Sequence, residues 1–196
     1  KPDGSPYTNT EEDWTWLVMH AAKAARWLGY MPFNQIIDAR NAEPVKVQKT
    51  FTPVKLTNPQ PGVWVFDFGQ NFAGWAELRL PDGIPAGTIV KMLPGETLNA
   101  NGTVNQSSIG VGGRGSDIFA TYTTLGAAGG ETWRPKFNYF GMQYLQVTGL
   151  PAGFTPTPEM IRGLQLFADV PRAGDVETSD ERVNRIHRMS YYSITS

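Results

Sequence analysis

From Gly62 onward, apolar and polar residues alternate with the period of two that marks a half-buried strand. In VWVFDFG (63–69), Trp64, Phe66 and Phe68 share one face, and Val63, Val65 and Asp67 share the other. In WAELRL (75–80) the alternation sets Ala76, Leu78 and Leu80 inward and Trp75, Glu77 and Arg79 outward. GQNFAG between them reads as a break, so two strands joined at a polar corner are expected. PDGIPAGT (81–88) has turn chemistry, with Pro, Asp and Gly adjacent, and TIVKMLP is the next strand. A loop rich in Gly, Asn and Ser follows (95–116), with a short hairpin at NANGT. DIFATYTTLG is a strand, AAGGE a turn, TWRPKFNYFGMQYLQVTGLP two strands around Gly141, and EMIRGLQLFADV one more.

The two ends read differently. TEEDWTWLVMHAAKAARWLGY carries a helix-start signal at Thr10 and apolar residues Leu17, Ala21, Ala24, Ala25 and Leu28 at helical spacing. WTWLVMH alone fits a strand equally well. AEPVKVQKTFTPVKLTNP alternates but is broken by Pro44 and Pro53, as extended edge segments are. Near the C-terminus, Thr178 followed by Glu181 has the spacing of a capping box, and Val183, Ile186, His187 and Ser190 fall on one helical face. Short strands at even spacing with turns between them predict a mainly β protein, an antiparallel β-sandwich or jelly roll, with a C-terminal helix and an N-terminal helix. A parallel α/β fold is disfavoured, because no helices alternate with the strands.

Composition narrows the chemistry. Apolar residues at 40% against 18% charged support a packed core. The net charge of −1 comes with no basic block, which argues against nucleic acid or an anionic membrane surface as partner. No apolar run approaches the ~20 residues of a membrane span. There is no cysteine, so disulfides, thiol nucleophiles and thiolate metal sites are excluded. With only His20 and His187, a histidine-based transition-metal site is not expected, and no cofactor is implied. No EF-hand spacing is present. GVGGRGSD (110–117) looks like a phosphate loop, but a strand and not a helix follows it, so a mobile loop is the expectation. Asn101 (NGT) and Asn105 (NQS) match the N-glycosylation pattern, which matters only in a secreted eukaryotic setting.

The segments PGVWVFDFGQNFAGWAELRL, PAGTIVKMLPGETLNANGTV, SDIFATYTT and ETWRPKFNYFGMQYLQVTGLP, in that order, resemble the concanavalin-like β-sandwich domain of α-L-rhamnosidases of glycoside hydrolase family 78. The resemblance runs from about Glu43 to Ser196. It implies three parts: 1–42, a remnant of a preceding N-terminal domain; 43–172, the concanavalin-like sandwich; and 173–196, a linker and the first helix of an (α/α)6 catalytic barrel. In that family the catalytic carboxylates sit on the barrel, so no catalytic residue is carried over to this chain. The resemblance implies a parent enzyme that cleaves terminal α-L-rhamnosides with inversion, and a chain that is inactive alone. It implies the barrel as partner and rhamnose-containing glycans as a further partner; an extracellular location is expected, with a cytoplasmic one left open.

Within this frame Asp67, Gln70 and Asn71 are either a carbohydrate contact or an ordinary turn in which Asp67 and Asn71 bond backbone amides, and the second reading is favoured. Trp64, Trp75, Trp133, Tyr139, Phe140 and Tyr144 are the aromatic candidates for sugar stacking. Most are expected in packing, and Trp75 is the best outward candidate. Glu77, Glu96, Asp117 and Glu131 lie on strands or turns, with nothing in the sequence to pair two of them. Two rival functions stay open: a free-standing lectin-like module for rhamnosides or plant glycans, and a chain that itself cleaves a glycan.

Overall fold

The computed structural model describes residues 44–109, 117–171 and 173–195, all within one compact unit, Pro44–Ser196. The helix expected between Thr10 and Leu28, the glycine-rich stretch 110–116 and His20 lie outside the described residues. Among the described residues ten strands and one α-helix follow in order: β1 Val45–Phe51, β2 Lys55–Gln60, β3 Val63–Leu80, β4 Ile89–Gly95, β5 Thr97–Leu98, β6 Val104–Asn105, β7 Ala120–Thr123, β8 Glu131–Trp133, β9 Phe140–Thr148, β10 Ile161–Ala168 and α1 Glu181–Ile194. Among the described residues eight strands form one antiparallel sheet along the path β1-β10-β3-β9-β4-β7, with β2 and β8 also paired to β3. β5 and β6 form the small hairpin anticipated at NANGT.

β3 organises the sheet. The expected break at GQNFAG is corrected: the strand runs unbroken for 18 residues. Its first half pairs with β2 through Val63–Asp67, and its second half pairs with β10 through Gly74–Leu78. Between these halves the register against β9 jumps from Asp67↔Tyr144 to Phe72↔Met142. The surplus residues on β3 bulge out, and Gly69 takes the left-handed backbone (φ 70°) the bulge requires. A bulge bends its strand, so one strand serves two layers and the sheet curls over a single core, consistent with a β-sandwich. That core holds Phe51, Phe66, Phe68, Phe72, Leu78, Met92, Met142, Leu145 and Ile161. Phe72 stacks on Phe51 at 4.7 Å and meets Phe68 edge-on at 5.3 Å.

The expected division around Gly141 is also corrected. Gly141 lies inside β9, and the interruption falls at 134–139, where Pro135 cannot donate to a ladder. The phase step that suggested a break is real, since Met142 faces the core but the next inward residues are Leu145 and Val147. It is absorbed within the strand, opposite the β3 bulge. The opposite face of this part of the sheet is covered too: Val104, from the β5–β6 hairpin, packs with Val65 and Leu93 against Tyr144.

α1 starts at a different cap from the one expected. Asp180, not Thr178, is the N-cap, its side chain accepting from Arg182 N. Thr178 instead exchanges bonds with Asn184: its N–H donates to Asn184 Oδ1 (2.8 Å) and its carbonyl accepts from Nδ2 (2.8 Å). The buried side of α1 carries Asn184 and Thr195. Tyr192 packs on the core, and Gln165 of β10, 2% exposed, donates to Thr195 Oγ1. No helix among the described residues is long and apolar enough to cross a membrane.

Candidate functional site

Two polar surfaces carry the residues singled out above. The first is the β3 bulge. Asp67 Oδ1 accepts from Gly69 N at 2.7 Å, closing the turn, and from Gln143 Nε2 of β9 at 3.2 Å. Gln143 Nε2 also donates to the Tyr144 hydroxyl at 3.1 Å. Gln70 Nε2 donates to the Asn71 carbonyl, and Asn71 Nδ2 donates to Glu96 Oε1 at 3.0 Å. The fold thus brings Asp67, Gln70 and Asn71 together with Glu96, Gln143 and Tyr144. Burial, then the nearby Asp67 charge, pushes the Tyr144 hydroxyl pKa up, which keeps it neutral. Asp67 bonds a backbone amide of the turn, whereas Asn71 reaches the Glu96 carboxylate in the bend between β4 and β5.

The second surface lies at the C-terminal half of β3. Trp75 is half-buried. Its indole N–H donates to the Asn138 carbonyl, which ties the 134–139 loop to β3, and the Arg134 guanidinium lies 5.2 Å from its ring centroid. Glu77, whose side chain is 12% exposed, pairs with Arg79 at 2.8 Å and faces Arg134 at 3.9 Å. Between Glu77, Arg134, Lys136 and Phe137 runs a groove of about 590 Å³. Phe137 was not among the aromatic candidates, yet it is 99% exposed. Its signal was present: a Phe between Lys and Asn just after a strand-breaking Pro belongs to a loop.

The other candidates separate. Trp64, Trp133 and Phe140 pack on the core, and Trp133 stacks on Tyr122 at 5.3 Å. Tyr139 is half-exposed, its hydroxyl donating to the Leu166 carbonyl at 3.4 Å. Asn101 sits at the exposed hairpin tip, where its Oδ1 accepts from Thr103 N and Oγ1, and Asn105 Oδ1 accepts from Ser107 N. Asp117 pairs with Lys91, and His187 Nε2 lies 3.2 Å from Asp175 Oδ1.

Glu131 is enclosed by donors. The backbone amides of Leu125, Gly126 and Ala127 and the Tyr122 hydroxyl all donate to it. Led by the Leu125 amide and the Tyr122 hydroxyl, these bonds hold its pKa down at about 2. Hydrogen bonds likewise lower the carboxyl pKa of Glu159, Asp169, Asp180 and Glu181. Among the described residues no three His, Asp or Glu side chains gather as a metal would require.

Comparison with known proteins places this geometry. A family model, the bacterial alpha-L-rhamnosidase concanavalin-like domain, matches residues 57–167. An alpha-L-rhamnosidase of Formosa agariphila is 30% identical over 159 residues, 81% of this chain and 16% of that protein. The alpha-L-rhamnosidase structure from Dictyoglumus thermophilum superposes with a TM-score of 0.71 at 30% identity, covering 79% of this chain and 16% of that one. The Streptomyces avermitilis alpha-L-rhamnosidase, crystallised in complex with L-rhamnose, superposes with a TM-score of 0.71 at 33% identity, covering 80% of this chain and 14% of that one. The chain therefore spans about a sixth or less of the length of the curated relatives it matches.

Proposed function

The chain belongs to the bacterial alpha-L-rhamnosidase family through its concanavalin-like domain, and on that premise we propose that it is the non-catalytic β-sandwich portion of an exported rhamnosidase. The parent enzyme would cleave terminal α-L-rhamnosides with inversion. Residues 43–172 would be the sandwich, 1–42 the end of a preceding domain, and 173–196 the linker and helix leading into a catalytic barrel.

One observation carries this reading: α1 has two working faces. One holds to the sheet through Tyr192 and Thr195. The other presents Val183, Ile186, Met189 and Ile194 to solvent, at 46, 63, 63 and 83% exposure. An apolar stripe on a helix already anchored on its other side is a contact surface for a further domain.

The test is hydrolysis of an aryl α-L-rhamnoside by the purified 196-residue chain and by the parent enzyme. Turnover is expected from the parent alone. In the parent, Ile186→Asp with Met189→Asp is expected to reduce thermal stability and activity together. Turnover by the 196-residue chain, or a parent indifferent to the double substitution, would overturn the proposal.

A further inference from the structure

We propose that the groove beside Phe137 binds an acidic saccharide, with the Phe137 ring as stacking face, Arg134 and Lys136 as partners for a sugar carboxylate, and the Glu77 carboxylate as acceptor for a hydroxyl. The inference does not depend on the scaffold role, because the groove lies on the second half of β3 and involves no residue of α1.

Three features point the same way. The first is an aromatic face free of protein: Phe137 is 99% exposed beside a groove of about 590 Å³. A pyranose stacks on such a ring through its C–H bonds, and a groove of a few hundred Å³ holds a sugar-sized ligand. The second is local charge. The whole chain carries −1, yet Arg134 and Lys136 line this groove with Glu77 as the single acidic residue, which leaves its wall net positive. A neutral sugar would not use that excess, whereas a uronic acid would.

The third feature is preorganisation. Arg134 is held over Trp75 at 5.2 Å and faces Glu77 at 3.9 Å. The loop bearing Arg134, Lys136 and Phe137 is pinned to β3 by the Trp75–Asn138 hydrogen bond. A guanidinium held in one place loses less freedom when it meets a carboxylate. Glu77, largely buried and anchored by Arg79, keeps acceptor capacity for a hydroxyl. Trp75 serves this site from beneath, as the support of Arg134 and of the loop.

The experiment is calorimetric titration of the 196-residue chain with trigalacturonate, with cellotriose and L-rhamnose as neutral controls. We expect trigalacturonate to bind with a Kd of about a millimolar or tighter, to weaken in about 0.5 M salt, and to exceed the neutral sugars by about tenfold. Phe137→Ala and Lys136→Ala should each weaken it by about tenfold. Both side chains are on the surface, so an unchanged Tm is expected and separates lost binding from lost folding. Absence of trigalacturonate binding overturns the proposal, as does equal affinity for cellotriose. Loss of binding in Lys136→Ala with none in Phe137→Ala also overturns it, because that is charge attraction without a saccharide platform.

Discussion

Gly74 of β3 passes so close to Leu164 of β10 that a Cβ at position 74 would lie 1.9 Å from the Leu164 carbonyl oxygen. Backbone, and not a movable side chain, fills the space. Gly74→Ala must therefore separate the strands where β3 changes neighbours. Overpacking of this kind costs about 3 kcal/mol or more, so urea denaturation should show a large loss of stability or no folded protein.

Phe72 is the first core residue beyond the bulge and is 1% exposed. It joins Phe51 to Phe68, and Gly163 leaves room for it, since a Cβ there would lie 2.4 Å from the ring. Phe72→Ala should lose about 3–5 kcal/mol by chemical denaturation, with Phe72→Leu losing less.

Asp67 closes the bulge through Gly69 and joins it to β9 through Gln143. Asp67→Ala leaves both donors without this acceptor and should cost about 1–2 kcal/mol. Amide exchange should accelerate at Gly69 and its neighbours while β10 stays protected. If Asp67 instead serves only a ligand, stability should not change.

Glu131 predicts an acid-limb effect. Its folded pKa of about 2 lies below the ordinary 4.5, so it binds fewer protons folded than unfolded as pH falls. The stabilisation is complete above pH 4.5 and is lost as pH falls towards 2. In Glu131→Gln the Tm should be lower at neutral pH, and its decline between pH 4.5 and 2 should be shallower than in the unsubstituted chain. Parallel curves would show that the Leu125–Ala127 amides do not hold this carboxylate.

Much of the fold was legible in one dimension. Alternation in 75–80 assigned the inward residues Ala76, Leu78 and Leu80 correctly, and in 63–68 it separated the Phe66 and Phe68 face from the Val65 face, because a pleat sends successive side chains to opposite faces. The turns at 81–88 and 127–130 followed from Gly, Pro and Asp chemistry. The polar stretch at Gly69–Asn71 was read as a corner because local sequence shows only that apolar period stops. Whether the chain turns back or bulges and continues depends on β9, about 70 residues away, whose own phase slips opposite it.

The candidate sites divide in the same way. Asp67 as a backbone acceptor is a local property, two residues from its partner, and could be read directly. Glu96 beside Asn71, Arg134 over Trp75 and Thr178 joined to Asn184 are matters of packing. The sequence by itself determined which residues can lie inward, where turns are cheap, and that cysteine chemistry is absent, because these depend on residue type and near neighbours. Tertiary structure alone decided that β3 serves two layers, that α1 turns its apolar stripe away from the sheet, and that a basic, aromatic groove forms beside Phe137. Those outcomes depend on which distant segments compete for the same surface, and that competition is resolved only when the whole core closes.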